Sequence, residues 1–515
     1  MERVQVLVQL VVRLAVHCIM IAEEVGLNTT YNLLGLKNSR NVKVSGVFLY
    51  PQRAIMVPER NVDEMKENVN VERYIATMVK AVQCATVSHL DESETDWAEF
   101  DKLHKVFEEA YPLVHKTLKK EIIGKAGLFY TWEGTDPSLD PIALIGHQDV
   151  VPVPEETVGD WTHPPFSGDI ADGYLWGRGA VDMKTHVVAV LEAIETLLED
   201  GYTPNRTVMV LFGYNEEVVG SKEPAAKLLA ETLKARGIHL ESVIDEGGGI
   251  PRLRIPGVIE KDLAVVGIAE KGYADYKLTV ESKGGHSSTP PKHTGVGILA
   301  KAITNIEKNA YKASMTPEFR NVLNLVLDSL AFPTSLIGKA LKPVAPILTP
   351  ILAAIPESAS LMKTTTAVTM TSGSPQSNVL PKVSTATINS RILPGMTMDE
   401  VEKHLNKVIG DKRVKVERIG GNDPSPVSPT NTETFRVIDE LSQELWEKPV
   451  TAPYVIMGAT DAKYYHIVCE NVYRHSPFNI PVPIFMLFHQ TDERIPLDSF
   501  EKALVFFKQY IRRLT

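Results

Sequence analysis

The sequence predicts an α/β fold in which a mostly parallel sheet with helices on both faces is interrupted by an inserted α+β domain. Continuous apolar runs, such as residues 142–147 and 207–213, alternate with helical patterns from residue 141 onward. Such strands are typical of parallel sheets, which are buried on both faces. Between residues 263 and 421 the strands instead alternate apolar and polar residues, as antiparallel strands do. The first pattern returns after the proline-rich segment 420–431.

Elements in the first half of the chain alternate between strand and helix. The run IALIGH at 142–147 predicts a buried strand, and residues 183–200 predict a helix with one apolar face that Gly201 ends. Further predicted elements are a strand at 207–213, a helix at 224–236 and the strand SVIDEGGG at 242–249. Together they make residues 71–262 the first part of a discontinuous catalytic domain.

The predicted inserted domain, called the lid domain below, covers residues 263–421. It begins with LAVVGIAEKGYADYKLTVES at 263–282, which predicts an antiparallel hairpin. Its other predicted elements are helices at 296–309 and 398–409 and strands at 364–372, 383–392 and 413–419. Residues 321–362 are apolar, rich in proline and nearly uncharged. We interpret this lid insertion as an extra helical layer, with a wall for an apolar substrate or a patch for a partner or membrane as alternatives.

The catalytic domain resumes at residues 422–515. Its predicted elements are a helix at 433–446, a strand at 452–457, the strand VPIFMLF at 482–488 and a helix from Asp498. Because these strands share the continuous apolar character of the first part, we expect both parts to build one domain.

Residues 1–70 form an N-terminal extension whose segment 4–22 is mostly apolar. Its polar residues recur every four positions: Gln5, Gln9, Arg13 and His17. On a helix they form one polar stripe, which favours an amphipathic helix over a spanning anchor, and a cleaved signal is the third alternative. We expect a cytoplasmic or membrane-associated protein, with secretion as the weaker alternative.

Composition excludes several classes of function. Of 515 residues, 44% are hydrophobic and 23% charged, as in a globular protein, and the net charge of −10 argues against nucleic-acid binding. The three cysteines, Cys18, Cys84 and Cys469, are too few for a disulfide framework and contain no CxxC pair. The redox compartment therefore stays open.

Acids and histidines recur at the ends of the predicted strands. The candidates are His147, Asp149, Asp182, Glu216, Glu217, Asp245 and His489. One such residue alone is more often structural, and a glutamate pair alone is usually solvated. The carboxyl edge of an open α/β sheet is, however, where such folds build their sites. Imidazole and carboxylate ligands suit zinc, and two adjacent zinc ions need a shared anionic ligand. The set therefore predicts a metal site with one spare glutamate as base.

Six motifs carry a resemblance to a known family. They are GHQDVVPV, YLWGRGAVDMK, GYNEEVVGS, IDEGGG, KGGHSSTPP and FMLFHQTDER. In this order, from about Glu72 to the C-terminus, they resemble the dizinc aminoacylase/carboxypeptidase metallopeptidase family, which includes aminoacylase-1, glutamate carboxypeptidase and succinyl-diaminopimelate desuccinylase. The resemblance is greatest to carboxypeptidase S and to N-fatty-acyl-amino-acid synthase/hydrolase. The first 70 residues match no family element.

The resemblance implies a role for each candidate in the catalytic domain. It implies two zinc ions, with cobalt or manganese as substitutes, bridged by Asp182. It assigns His147 and Asp245 to one ion and Glu217 and His489 to the other. Glu216 would be the general base, and Asp149 would orient the imidazole of His147.

The resemblance also implies residues that bind substrate. His286 of the lid would polarise the scissile carbonyl, and in dimeric relatives this histidine reaches the neighbouring protomer's site. Arg391 would hold a free carboxylate, although it could simply pair with an acid of the lid. Asn378 and Thr460 match positions on the substrate side. The lid would also be the dimerisation surface of a homodimer.

The expected function is hydrolysis of N-acyl-amino acids or of the C-terminal bond of small peptides by a zinc enzyme. Hydrolysis or synthesis of N-fatty-acyl-amino acids is the alternative within the same family. A non-catalytic binding or scaffold protein is the rival class, and a lipid-handling protein at the membrane surface is a third hypothesis. The complete ligand set argues against the binder, because a binder has no need of Glu216.

Overall fold

The protein is described by a computed structural model over residues 68–252, 262–329, 339, 349–446 and 449–515. The predicted N-terminal helix lies outside these residues, as does the middle of the lid insertion. Within the described ranges, no helix has the length and hydropathy needed to cross a membrane.

The described strands form four sheets. The strands are β1 (Lys119–Ile123), β2 (Gly127–Trp132), β3 (Ile142–His147), β4 (Ile170–Ala171), β5 (Tyr174–Trp176), β6 (Val208–Gly213), β7 (Ser242–Arg252), β8 (Leu263–Glu270), β9 (Gly272–Glu281), β10 (Gly285–His286), β11 (Thr365–Ser372), β12 (Val379–Leu380), β13 (Val383–Ile392), β14 (Val414–Asn422), β15 (Val450–Ile456), β16 (Val472–Pro481) and β17 (Arg494–Pro496).

Helices cover these sheets. They are α1 (Val71–Val82), α2 (Trp97–Ala110), α3 (Pro112–Thr117), α4 (Lys184–Glu199), α5 (Ala225–Ala235), α6 (Gly295–Lys308), α7 (Pro317–Ser329), α8 (Thr349–Leu352), α9 (Pro356–Met362), α10 (Met398–Ile409), α11 (Glu433–Leu445), α12 (Val482–Phe485) and α13 (Phe500–Leu514). Most long helices end within two residues of the predicted bounds.

The central sheet confirms the predicted α/β class. Its order is β1-β2-β6-β3-β7-β16-β8-β15, and β3 pairs parallel to both β6 and β7. All six residues of β3 and of β6 are buried. Leu144 of β3 belongs to the core cluster that includes residues of α1, α4, α11 and α13, whereas its neighbour Ile145 belongs to the cluster that includes α5, on the opposite face. Helices on both faces explain why these strands are continuously apolar.

The lid domain contains a separate antiparallel sheet of order β11-β13-β9-β14. The residues of β9 alternate between buried and more exposed positions. Ala274 and Tyr276 belong to the core that β9 shares with α6 and α10. Tyr273 and Asp275 therefore lie on the opposite, open face of the lid sheet.

The predicted hairpin at 263–282 is wrong. β8 pairs parallel to β15 in the central sheet, whereas β9 lies between β13 and β14 in the lid sheet. The two strands differ in burial, because all eight residues of β8 are buried while β9 alternates. The chain therefore passes from the central sheet to the lid sheet at Lys271, eight residues after the predicted boundary at 263.

The predicted strand VPIFMLF is also wrong. The strand in this region is β16, which ends at Pro481, and Val482–Phe485 form the short helix α12. A proline lies in the first turn of that helix, where its missing N–H leaves no helical hydrogen bond unmade. His489 follows this helix with a positive φ of 61°.

The lid insertion reaches beyond the lid. Its first helix, α7, packs against β15, the edge strand of the central sheet. Phe319, Val322, Leu323 and Leu327 are buried side chains of α7. The described part of the insertion is thus helical, and its helix α7 packs on the catalytic domain.

Candidate metal centre

Two triads of metal-type ligands meet at the carboxyl edge of the central sheet. His147 ends β3, and its Nε2 lies 3.1 Å from Asp182 Oδ1 and 3.3 Å from Glu246 Oε1. His489 Nε2 lies 3.0 Å from Asp182 Oδ2 and 2.9 Å from Glu217 Oε1. Within each triad, the ligand atoms all lie within 4.8 Å of one another.

Asp182 is common to both triads, and each of its carboxylate oxygens faces a different histidine. This arrangement matches the expected bridging position. The donor set of imidazole nitrogens and carboxylate oxygens is one that zinc accepts. The residues present therefore fit a pair of divalent cations.

The electrostatics of the site also fit a cation. Burial raises the pKa of Glu217 to about 7, and the charge of Asp182 adds to the rise. The same two causes raise the pKa of Glu246 well above its usual value. Acids crowded in a buried site resist ionisation unless positive charge balances them. A divalent ion between their oxygens would supply that charge.

The structure differs from the prediction at Asp245. Asp245 Oδ2 accepts a hydrogen bond from the backbone N–H of Ala462, at 2.9 Å, whereas Glu246 faces His147. Both acids lie on β7, where successive side chains point to opposite sides. Only one of the two can therefore reach the metal ligands, and the sequence DEGGG does not show which one.

Asp149 supports three other residues of the site. Its carboxylate oxygens accept the backbone N–H groups of Glu216 and Glu217, each at 3.2 Å. Nδ1 of His147 lies 3.0 Å from the main-chain oxygen of Asp149 and 3.5 Å from Oδ1. Asp149 thus lies where an orienting partner of His147 is expected, and it also fixes the glutamate pair.

Glu216 belongs to neither triad, although it directly precedes Glu217. Burial raises the pKa of Glu216 well above its usual value, and the charge of His147 opposes this rise. A half-buried carboxyl beside the ligands, but outside the ligand set, has the environment of a general base.

Sequence reasoning missed Glu493, which lies in the quoted motif FMLFHQTDER. Its carboxylate is fully buried, accepts the backbone N–H of Val181 at 2.9 Å and forms an ion pair with Arg178. The motif contains the residue, but only the fold brings it beside the segment that carries Asp182.

The candidate lid residues fall into two places. β10 pairs with β12, and the backbone N–H of Ser287 donates to Asn378 O at 3.0 Å, so Asn378 lies next to His286. The His286 side chain is exposed, with Nδ1 2.8 Å from Ser288 Oγ. Arg391 lies on β13, with its guanidinium 5.0 Å from the centre of the Tyr273 ring.

Thr460 has a different environment from the predicted one. Its hydroxyl donates to Glu270 Oε1 at 2.9 Å, and its backbone N–H donates to Oε2 at 3.1 Å. The side chain is buried and also accepts a hydrogen bond from the backbone N–H of Ala462. These contacts give Thr460 a structural role, and its contact with substrate stays a prediction.

Comparison with known proteins gives one family. A model of peptidase family M20/M25/M40 matches residues 143–513. A probable carboxypeptidase S-like 2 of Dictyostelium discoideum is 35% identical, over 84% of this chain and 84% of the relative. The N-fatty-acyl-amino acid synthase/hydrolase of Mus musculus is 33% identical, over 84% and 86%. Carboxypeptidase S of Saccharomyces cerevisiae is 34% identical, over 80% and 78%.

Solved structures share the fold. An M20 family metallo-carboxypeptidase from Sulfolobus solfataricus aligns with a TM-score of 0.59 at 18% identity, over 85% of this chain and 98% of that one. Human carnosine dipeptidase 1 aligns with a TM-score of 0.57 at 16% identity, over 88% and 97%. Both confirm the α/β architecture.

Proposed function

The chain belongs to peptidase family M20/M25/M40, a family of metal-dependent hydrolases, and on this premise we propose that it hydrolyses N-acyl-amino acids or the C-terminal bond of small peptides with two zinc ions. The observation that carries the proposal is the pair of triads sharing Asp182, with the half-buried Glu216 beside them. The names of the relatives, carboxypeptidase S and N-fatty-acyl-amino acid synthase/hydrolase, support the same chemistry.

The metal ligands divide around Asp182. His147 and Glu246 would hold one zinc ion with it, and Glu217 and His489 would hold the other. When bound, the two ions would supply positive charge that polarises the scissile carbonyl and lowers the pKa of the attacking water.

Glu216 would move the proton. Its carboxylate would accept a proton from the attacking water and return it to the nitrogen of the leaving amine. Asp149 would hold the backbone of Glu216 still through the 3.2 Å hydrogen bond from its N–H. A base fixed in this way keeps its oxygen aimed at the water through both transfers.

Residues of the lid would bind the substrate. Arg391 would pair with its free carboxylate, and His286 would donate a hydrogen bond to the carbonyl oxygen as charge develops there. The neighbouring position of Asn378 supports a shared role with His286. Closure of the lid would bring these groups to the triads and exclude water.

Association with other molecules is a further part of the proposal. A homodimer would form through the lid, where β11 is an edge strand with mostly exposed residues. Contact with a membrane surface would involve the N-terminal amphipathic helix, and the sequence pattern alone supports it. Both proposals can be tested on the full chain by light scattering and by sedimentation with liposomes.

The preferred substrate distinguishes a carboxypeptidase from a hydrolase of N-fatty-acyl-amino acids. The test is amino-acid release from a long-chain N-acyl-phenylalanine and from glycyl-phenylalanine, each with and without a zinc chelator. Preference for the acyl substrate would indicate that the lid insertion contacts the acyl chain of the substrate. Preference for the dipeptide would make the enzyme a carboxypeptidase. Absence of chelator-sensitive release from both, and from other acyl-amino acids, would contradict the proposal and favour a binding protein.

A further inference from the structure

Lys271 occupies the crossing between the two domains. β8 ends at Glu270 and β9 begins at Gly272, so Lys271 alone separates the central sheet from the lid sheet. Its backbone N–H donates to Ile456 O at the end of β15, at 3.0 Å. A second crossing follows β14, where the chain leaves the lid sheet. It lies beside the first crossing, because Glu270 N–H donates to Ser425 Oγ at 2.8 Å. This pair of crossings forms the hinge.

The ammonium group of Lys271 links the hinge to the lid insertion. Nζ donates to Ser360 O at 2.8 Å and to Lys363 O at 3.2 Å, at the end of α9. The residue is only 2% exposed. Burial, and then the charge of Arg391, lowers the pKa of Lys271 to about 7.

Arg391 lies on the same part of the hinge. It pairs with Tyr273 in the register of β13 and β9, and its guanidinium stacks on that ring. Directly opposite residues of paired strands project from the same face of a sheet. Arg391 therefore projects from the open face of the lid sheet. Its partner Tyr273 is two residues after Lys271.

The neighbouring acids are engaged by other partners. Glu270 accepts from Arg474 Nε at 2.8 Å and from Thr460. Asp275 accepts from the Tyr273 hydroxyl and from Asn389 Nδ2. The hinge thus concentrates two cations while the adjacent carboxylates are already hydrogen-bonded elsewhere.

We propose that Lys271 is a positioning residue that makes the site specific for substrates with a free carboxylate. In its protonated form, its charge adds to that of Arg391, and its bonds to Ser360 and Lys363 hold the lid insertion against the hinge. An anionic group bound at Arg391 would complete the charge balance of this cluster. The inference rests on the proposed function, which supplies a substrate with such a carboxylate.

The test compares an N-acyl-phenylalanine with its carboxamide, which lacks the charge. At about pH 6, where Lys271 is mostly protonated, KM for the acid should rise about tenfold in Lys271→Met, because one unit charge near the carboxylate is lost. KM for the amide and kcat for both substrates should stay within about threefold. Lys271→Arg, which keeps the charge, should restore KM for the acid. Lys277→Met removes a cation farther along β9 and should change KM for neither substrate.

Equal changes for acid and amide in Lys271→Met would overturn the inference and leave a purely structural lysine. If Lys271→Met does not fold, as judged by circular dichroism, the test passes to Lys271→Arg. This variant must keep the parental ratio of KM for the acid to KM for the amide, and a change of that ratio toward one would overturn the inference. If the parent hydrolyses neither compound, the proposed function fails separately. Calorimetric binding of the acid and the amide to parent and variants then decides on Lys271 by the same comparison.

Discussion

The carboxylate of Glu493 accepts a hydrogen bond from the backbone N–H of Asp182, at 3.3 Å, although 311 residues separate the two in sequence. The same carboxylate is held by Arg178 and by the backbone N–H of Val181. Because His489 lies four residues before Glu493, one buried side chain joins the segments that carry ligands of both triads. We expect it to set the distance between Asp182 and His489.

Removing the charge of Glu493 should weaken metal binding. In Glu493→Gln, zinc affinity should fall about 10- to 100-fold, as is usual when a group that orients a ligand is lost. Competition with a chromophoric chelator measures the change. Glu501→Gln, on the exposed side of α13, is the control and should bind zinc like the parent. Parental zinc affinity in a folded Glu493→Gln protein would contradict this role.

Adjacent acids on β7 allow a direct test of the ligand set. Glu246→Ala should lower the zinc content from two ions toward one, because it removes a ligand facing His147. Asp245→Asn should retain both ions, since Asp245 faces Ala462 instead. Metal analysis after gel filtration gives the stoichiometry. The opposite pattern would restore Asp245 as the ligand.

How far the sequence predicts the site depends on which physical rule each residue obeys. His147 could be found because buried parallel strands must end at one edge of the sheet, where ligands collect. Asp182 follows β5, which lies in a separate antiparallel sheet, so the motif resemblance and not the sheet edge points to it. The choice between Asp245 and Glu246 depends on the direction of the β7 side chains, and the glycines that follow give no periodicity to fix it. The contact between Thr460 and Glu270 could not be predicted, because the two residues are 190 positions apart in sequence.

Local sequence patterns likewise predict some parts of the fold and not others. Continuous burial of β3 and β6 is visible in the sequence as unbroken apolar runs, so the class and the parallel strands could be predicted. The wrong hairpin at 263–282 has a different cause, because local patterns do not show which sheet a strand joins. The apolar segment 482–488 has the composition of a strand, but Pro483 is unfavourable inside a sheet and suits the first turn of a helix.

Glu216 should be required for turnover but not for metal binding. In Glu216→Gln, kcat should fall about 10²- to 10⁴-fold, the range for loss of a general base, while zinc content stays at the parental value. Steady-state amino-acid release and metal analysis on one preparation measure both. Because Glu216 lies outside both triads, loss of zinc from this variant would make it a ligand instead.

Metal affinity should rise with pH. In the metal-free protein the pKa of Glu217 is raised to about 7 and that of His489 to about 10, the latter by hydrogen bonds to Asp182 and Glu217 that outweigh burial. Both groups therefore hold protons more firmly than usual, and these must leave before the groups can bind metal. Between pH 6 and 8 the apparent zinc affinity should rise by up to about tenfold per pH unit for each proton released. Calorimetry in buffers of different ionisation enthalpy counts those protons, and a pH-independent affinity with no proton release would contradict the assignment.

The raised pKa of Glu217 also determines how the stability of the metal-free protein changes with pH. A carboxyl whose folded pKa lies above its unfolded value stabilises the fold fully below the unfolded pKa, and this contribution is lost as pH rises through the folded pKa. The metal-free protein should therefore lose this contribution between the usual glutamate value of 4.5 and about 7. Zinc should raise the melting temperature more at pH 7.5 than at pH 5.5, because bound metal offsets the repulsion that appears once Glu217 ionises. Differential scanning fluorimetry with and without chelator compares the two conditions.

The buried ion pair of Arg474 and Glu270 should be the most sensitive polar contact near the hinge. Arg474 is 0% and Glu270 2% exposed, and Nε of Arg474 donates to Oε1 of Glu270 at 2.8 Å. Glu270→Gln leaves a buried guanidinium without its counter-charge, so the free energy of unfolding should fall by about 3–5 kcal/mol. Urea denaturation followed by fluorescence measures it, with Glu231→Gln in the exposed pair Lys227–Glu231 as the control that should leave the midpoint unchanged. Because Glu270 also accepts from Thr460, which caps the 3₁₀ helix Asp461–Ile467, the variant should in addition loosen that helix. An unchanged midpoint would contradict the prediction and would mean that water replaces the partner of Arg474.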